Sequence, residues 1–153
     1  MDQSIIPWMG KTIKALDFYI SEQFANEGIT LTKAQFVLLR VLTRNDGIPQ
    51  NDLAFITNRD KTSLTRLIHT MERKGFVTRK SSKEDKRINL VFLTKTGKKV
   101  IKDANPTLRK INEQVHSELT GEEIESTIET LKKIGENINA EYLTRVNNQF
   151  KVK

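Results

Sequence analysis

The sequence predicts a mainly α-helical domain that carries one small β-hairpin. Most apolar residues recur at spacings of three and four, which is the period of a helix with one buried face. The exception is residues 76–93, where apolar and polar residues alternate as they do in half-buried strands. Thr32 with Gln35, and Thr120 with Glu123, have the spacing of a capping box, which marks where two helices begin. The predicted order is therefore four helices, a hairpin and two more helices.

The first two predicted helices are separated by a turn that contains glycine. Residues 5–24 form the first helix, with Ser4 placed to cap it and Gly28 just past its end. The second helix begins at the capping box of Thr32 and ends before Gly47. Each has an apolar stripe, so we expect each to bury one face.

The third and fourth helices are short and follow each other closely. Residues 50–56 form the third, and after a turn the fourth covers about residues 60–74. Gly75 is placed to end the fourth helix in the left-handed conformation. The predicted buried face of the fourth helix consists of Leu64, Leu67, Ile68 and Met71.

Beyond Gly75 the sequence predicts two strands and the last two helices. The strands cover residues 76–80 and 87–93, with a charged tip between them. Thr94 ends the second strand and caps a fifth helix, in which Pro106 predicts a kink near residues 102–105. The sixth helix begins at the capping box of Thr120 and reaches about residue 145. No repeat or linker interrupts the chain, so we expect residues 1–153 to form a single domain.

The composition argues against several classes of protein. Without cysteine there are no disulfides, thiolate nucleophiles or cysteine-bound zinc. The chain also lacks a Gly-rich phosphate loop and paired catalytic carboxylates, so we expect it not to be an enzyme and to hold no cofactor. We expect no metal site either, although His116 lies near two glutamates. Neither a secretory signal nor a membrane span is visible, which makes the cytoplasm the expected location.

Positive charge is concentrated in one part of the chain. The net charge is +7, yet residues 59–102 alone carry 14 basic and four acidic side chains, and the rest of the chain is net negative. A cluster of this kind is either a solvated face or a surface for an anionic partner.

The order of elements favours the second interpretation, because helices followed by a hairpin form a winged helix-turn-helix. In that motif the second helix of the turn enters the major groove of DNA, and here it is the fourth helix. Opposite its buried face it carries a polar stripe, in which Arg66 suits a bidentate contact to guanine. An arginine at the wing tip, such as Arg87, suits the minor groove beside it. Gln50 and Asn51 open the third helix and could donate to phosphates.

Six segments of the sequence resemble the MarR family of bacterial transcriptional regulators. The match is specific and, with the flanking helices, covers nearly the whole chain. The segments are LTKAQF at 31–36, DLA at 52–54, DKTSLTRL at 60–67, MERKGFV at 71–77, DKR at 85–87 and LTKTG at 93–97.

The resemblance implies a homodimer that binds an inverted-repeat operator in double-stranded DNA and usually represses transcription. Residues 30–94 would form the DNA-binding lobe, and residues 4–27 and 95–145 would supply dimerisation helices. It also implies that Arg87 enters the minor groove with Asp85 paired to its guanidinium, although an ordinary surface pair is the alternative. Lys86 stands where the family often has a second arginine, and lysine lacks bidentate geometry. The candidate DNA contacts are Gln50, Asn51, Lys61, Thr62, Ser63, Thr65, Arg66, His69, Arg73, Arg79, Lys83, Asp85, Lys86 and Arg87.

Members of the family often bind small aromatic acids or lipophilic compounds between the dimerisation helices and the DNA-binding lobe. If this chain does so, the residues to expect there are Trp8, Met9, Phe36 and Arg40. The alternative is that its aromatic residues serve the core and the dimer interface. A rival hypothesis for the whole chain is a winged-helix module that binds protein or RNA and shows no sequence preference on duplex DNA.

Overall fold

The structure, a computed structural model, describes residues 4–150. For residues 142, 143 and 145–150 it describes the backbone alone. The described residues form six helices and three short strands. These are α1 (Ile6–Asn26), α2 (Lys33–Arg44), β1 (Ile48–Pro49), α3 (Gln50–Ile56), α4 (Lys61–Arg73), β2 (Val77–Ser81), β3 (Asn89–Leu93), α5 (Lys95–His116) and α6 (Gly121–Phe150). This arrangement confirms the predicted fold class. Within residues 4–150, no helix is both long enough and apolar enough to cross a bilayer.

Short-range hydrogen bonds begin the helices where the sequence predicts. The hydroxyl of Thr32 accepts from the backbone amide of Gln35 at 3.2 Å. In turn, the side-chain oxygen of Gln35 accepts from the backbone amide of Thr32. Thr120 and Glu123 form the same reciprocal pair, which holds the pKa of the Glu123 carboxyl below its usual range. The start of α1 differs. Its cap position is Ile5, which has no side-chain bond, and the hydroxyl of Ser4 lies 3.4 Å from the nearest helical amide.

The sheet has three strands, not the two that the sequence predicts. Its order is β1-β3-β2, and all pairs are antiparallel. The additional strand β1 pairs Ile48 with Val91, and the amide of Gly47 donates to the carbonyl of Val91 at 3.0 Å. A strand of two residues shows no periodicity, which is why the sequence does not reveal it. It attaches the start of α3 to the middle of β3.

The hydrophobic core lies between α2, α3, α4 and the sheet. Its most deeply buried large side chains come from all of these elements. α1 and α5 add further buried residues, such as Phe24 and Ile101, and none of residues 121–141 of α6 is buried. Of the four residues predicted on the inner face of α4, Leu67 is only half-buried. The most deeply buried side chains are Leu38, Leu39, Val41, Leu42, Leu53, Leu64, Ile68, Met71 and Val91.

The last two helices differ in detail from the prediction. α5 is one continuous helix with Pro106 inside it, so the helix is not interrupted near residues 102–105, where the sequence predicts a kink. α6 extends to Phe150, beyond the predicted end, and is interrupted at Asn139, whose φ of −160° and ψ of 86° are not helical. On α6 the side chains of Ile128, Leu131 and Ile138 are exposed, and on α1 so are those of Ile6, Trp8, Ile13 and Phe18. These two helices therefore present apolar surface that the single chain does not cover.

The start of α5 packs directly against the end of α4. The hydroxyl of Thr94 lies 2.5 Å from the carbonyl oxygen of Gly75 and accepts from the amide of Gly97 at 3.0 Å. A Cβ atom at Gly97 would overlap the backbone oxygen of Phe76. Only glycine fits there, so this junction fixes α4 against α5.

We therefore expect Gly97→Ala to destabilise the protein by about 1–3 kcal/mol, because the added methyl must displace backbone. Urea unfolding at one fixed protein concentration measures this change. Gly121→Ala is the matched control, since Gly121 also lies in the first turn of a helix and a Cβ there meets nothing within 4 Å. Equal unfolding midpoints for both variants would contradict the close approach at Gly97.

Candidate nucleic-acid interface

The outward face of α4 carries four exposed polar side chains that have no bonding partner among the described residues. Thr62, Arg66, His69 and Arg73 are all exposed. Among the described residues their side chains make no hydrogen bond or ion pair. We call these four residues the reading face. They follow one another at spacings of three and four, so they form one stripe along the helix, opposite its buried face.

Residues on the two flanks of the reading face are already bonded within the protein. Ser63 accepts from the guanidinium of Arg59 at 3.0 Å, and its amide donates to the cap residue Asp60 at 2.8 Å. On the other flank, Nε2 of Gln50 donates to the hydroxyl of Thr65 at 2.8 Å. The structure thus assigns Gln50 a contact to α4, where the sequence predicted a phosphate contact.

The start of α3 lies beside the second wing strand. Gln50 and Asn51 line a small cleft of about 120 Å³ together with Arg87, Ile88 and Asn89. The exposed side chains of Asn51 and Arg87 are therefore neighbours, although they are far apart in the sequence. On the far side of Gln50, Lys61 lies next to the reading face, in a shallow depression shared with Thr62, Thr65 and Arg66.

Asp85 shapes the wing tip differently from the expectation. Its carboxylate accepts from the backbone amide of Arg87 at 2.9 Å, and no ion pair joins the two side chains in the described part of the chain. The predicted Asp85–Arg87 ion pair is therefore absent here, because the carboxylate orders the turn instead. The guanidinium of Arg87 is left exposed, as are the ammonium groups of Lys83 and Lys86.

Arg79 is an internal tie between the wing and α4. Its Nε and Nη2 donate to Oε2 of Glu72 at 3.0 and 2.7 Å, and its backbone amide donates to Oε1 at 3.1 Å. Both side chains are about 70% buried. The guanidinium of Arg79 is thus paired with Glu72 within the protein, and its contact to DNA stays a prediction. This pair joins a helix to a strand, and no pattern in the sequence predicts it.

The four residues predicted to form an effector pocket line two separate cavities. Phe36 and Arg40 face a cavity of about 440 Å³ between α1, α2 and α5, which also receives Arg109. Trp8 and Met9 line a cavity of about 530 Å³ between α1 and α6. The four residues therefore do not line a single cavity in the described part of the chain, although Leu16 lines both cavities, and their role in effector binding stays a prediction.

The two histidines lie apart from any cluster of metal-binding side chains. Within residues 4–150 no three histidine, cysteine or acidic side chains come together. His116 lies 3.4 Å from the amide nitrogen of Asn112, and His69 belongs to the reading face.

Comparisons with known proteins agree with this geometry. A family model described as "MarR family" matches residues 31–88. The HTH-type transcriptional regulator YybA of Bacillus subtilis is 30% identical over 142 residues, which cover 90% of this chain and 91% of YybA. The crystal structure of the transcriptional regulator SlyA has a TM-score of 0.78 at 26% identity, covering 93% of this chain and 99% of SlyA.

A third comparison concerns the fold alone. A mutant of MarR from E. coli, solved with operator DNA, has a TM-score of 0.79 at 24% identity, and the match covers 85% of this chain and 92% of that one.

The expectation that the chain is not an enzyme is confirmed, because the family consists of transcriptional regulators. The wing, the helix order and the sequence of this chain agree on one assignment: the chain belongs to the MarR family of transcriptional regulators.

Proposed function

We propose that the chain represses transcription as a homodimer that binds an inverted-repeat operator in duplex DNA. The observation that carries this proposal is the reading face, whose four exposed polar side chains have no partner among residues 4–141, with Arg87 exposed on the adjacent wing. A helix of this kind suits the major groove, and an arginine beside it suits the minor groove. That the compared MarR structure was solved with operator DNA supports the proposal.

The charge distribution supports the same partner. The segment 59–102 carries an excess of ten positive charges over negative ones. Lys61, Lys83 and Lys86 are exposed beside the reading face or on the wing, where they suit phosphate contacts. Such contacts release counterions, so the affinity is expected to fall steeply as salt increases.

A second copy of the chain is the natural cover for the apolar surface of α1 and α6. Trp8 is 70% exposed and Phe18 72%, and Leu131 on α6 is 47% exposed. Large contiguous apolar patches on a soluble chain mark interaction surfaces. Pairing two copies through these helices would place two reading faces about 34 Å apart, the distance of one DNA turn.

The cavity between α1, α2 and α5 suits a small aromatic acid as effector. Phe36 and Leu108 offer an apolar wall, and Arg40 and Arg109 offer two cations for a carboxylate. The cavity lies between the proposed dimerisation helices and the DNA-binding lobe. A ligand that prefers one arrangement of these parts would change the distance between the reading faces and so release the operator.

We expect Arg66→Ala and Arg87→Ala each to weaken specific DNA binding by about 1–3 kcal/mol, and Arg66→Ala also to relax the base preference. The duplex is first selected from a random pool with the unmodified protein, and each variant is then titrated against it at fixed salt. Lys133→Ala removes the same charge from α6 and serves as the control. Unchanged affinity in both arginine variants, or a pool without an inverted repeat, would contradict the proposal and favour the protein- or RNA-binding alternative.

We expect Leu131→Glu to weaken dimerisation at least tenfold, or roughly 1.4 kcal/mol, because a carboxylate would be buried between the copies. Sedimentation equilibrium measures the mass, which should be twice the 17.6 kDa of one chain for the unmodified protein. Lys133→Glu places the same carboxylate on the opposite side of α6 and should remain dimeric. A monomeric unmodified protein would refute the dimer.

Benzoate, the simplest aromatic acid, is expected to bind the cavity of Phe36 with a dissociation constant of roughly 1 mM. Calorimetric titration measures it. Arg40→Gln and Arg109→Gln should each weaken binding up to about fivefold, the range of a partly exposed ion pair, whereas Lys133→Gln should not. Equal binding by all variants would exclude this cavity as the carboxylate site.

A further inference from the structure

Thr65 is exposed on α4, yet its hydroxyl is already committed. The hydroxyl donates its proton to the carbonyl oxygen of Lys61 at 2.7 Å and accepts from Nε2 of Gln50 at 2.8 Å. A hydroxyl has one proton, so Thr65 has none left to donate to a phosphate or to an acceptor on a base. The other end of its side chain is the Cγ2 methyl group. This methyl is the group that an exposed Thr65 offers to a partner.

Gln50 is the residue that holds Thr65 in this state. It is the first residue of α3, and its backbone follows β1, which is paired with β3. Its side chain is half-buried, and its Oε1 atom is buried without a partner among the described residues. Because the backbone of Gln50 is fixed by the sheet, its amide reaches Thr65 from a fixed point. A rotation of Thr65 that exchanged methyl for hydroxyl would break both bonds.

The surroundings of Thr65 suit a methyl contact in the major groove. Lys61, Thr62 and Arg66 form with it a shallow depression on the exposed surface of α4. Thymine is the base that presents a methyl group in the major groove, and its 5-methyl meets apolar side-chain atoms. An adjacent Arg66 suits guanine, whose acceptors lie in the same groove.

We propose, on the basis of the function proposed above, that Thr65 reads a thymine methyl in each half-site and that Gln50 is its positioning residue. The hydroxyl of Thr65 then serves to orient the methyl and makes no contact to DNA. This division of roles within one side chain has a direct consequence. Removing the methyl should abolish the recognition of thymine, whereas a variant that lacks the hydroxyl and keeps a methyl should retain it.

Replacing thymine by uracil removes the base methyl alone and so provides the test. The duplex selected by the unmodified protein is made with deoxyuridine at one thymine position at a time. We expect one position in each half-site at which the substitution weakens binding about fourfold, the value of one buried methyl-sized group. Thr65→Val, which keeps a methyl, should retain this uracil penalty. Thr65→Ser, which keeps the hydroxyl, should lose it.

Matched variants separate this role from general damage to the helix. Thr70 is also exposed on α4, and its hydroxyl likewise donates to the carbonyl oxygen four residues before it, so Thr70→Ser makes the same chemical change outside the reading face and should retain the uracil penalty. Gln50→Ala should reduce the penalty, whereas loss of a merely structural contact would lower the affinity for both duplexes equally. Thermal unfolding of each variant confirms that it is folded.

Several outcomes would overturn the inference. These are a protein indifferent to uracil at every position, a penalty that survives in Thr65→Ser, and a penalty that is lost in Thr65→Val. An unchanged penalty in Gln50→Ala would overturn its positioning role. If the unmodified protein selects no duplex sequence at all, it is the proposed function that fails, and that result is distinct from the others.

Discussion

The central constraint on the structure is that α4 is held in place by contacts on its buried face and its flanks, while the side chains of its reading face remain available to a partner. Polar contacts hold α4 from outside the helix: Arg59 donates to Ser63, Gln50 donates to Thr65, and Arg79 donates to Glu72, while Thr94 binds the carbonyl oxygen of Gly75 just after the helix. The buried face fixes it from below. Each tie uses a residue beside the reading face and none within it. The side chains offered to a partner are thus placed by the fold before any partner binds, which lowers the ordering cost of binding.

The same ties connect the functional parts of the molecule to one another. The hydrogen bonds between Arg79 and Glu72 join strand β2 of the wing to α4. They therefore help to hold the wing, which carries Arg87, in place beside the reading face. The junction at Thr94 and Gly97 joins that unit to α5, which belongs to the helices proposed to pair two chains. A cavity bordered by α5 is therefore well placed for a ligand to act on the position of α4.

Features encoded within a few residues were predictable from the sequence, and features that join distant segments were not. The capping boxes, the glycine that ends α4 and the change of period after it are local, and the structure has them all. The exposed stripe of α4 follows from helical period alone. By contrast, Arg79 looks like any wing cation until Glu72 is seen beside it, and β1 is too short to show a pattern. The four residues expected around an effector also divide between two cavities, because the way α1 packs against α2, α5 and α6 cannot be read from the sequence.

The central claim is that pairing of two chains presents two identical reading faces one DNA turn apart. Hydroxyl-radical footprinting of the unmodified protein on its selected duplex tests it most directly. Two protected regions are expected, related by a two-fold axis and centred about 10 base pairs apart. A single protected region, or protection without two-fold symmetry, would contradict it.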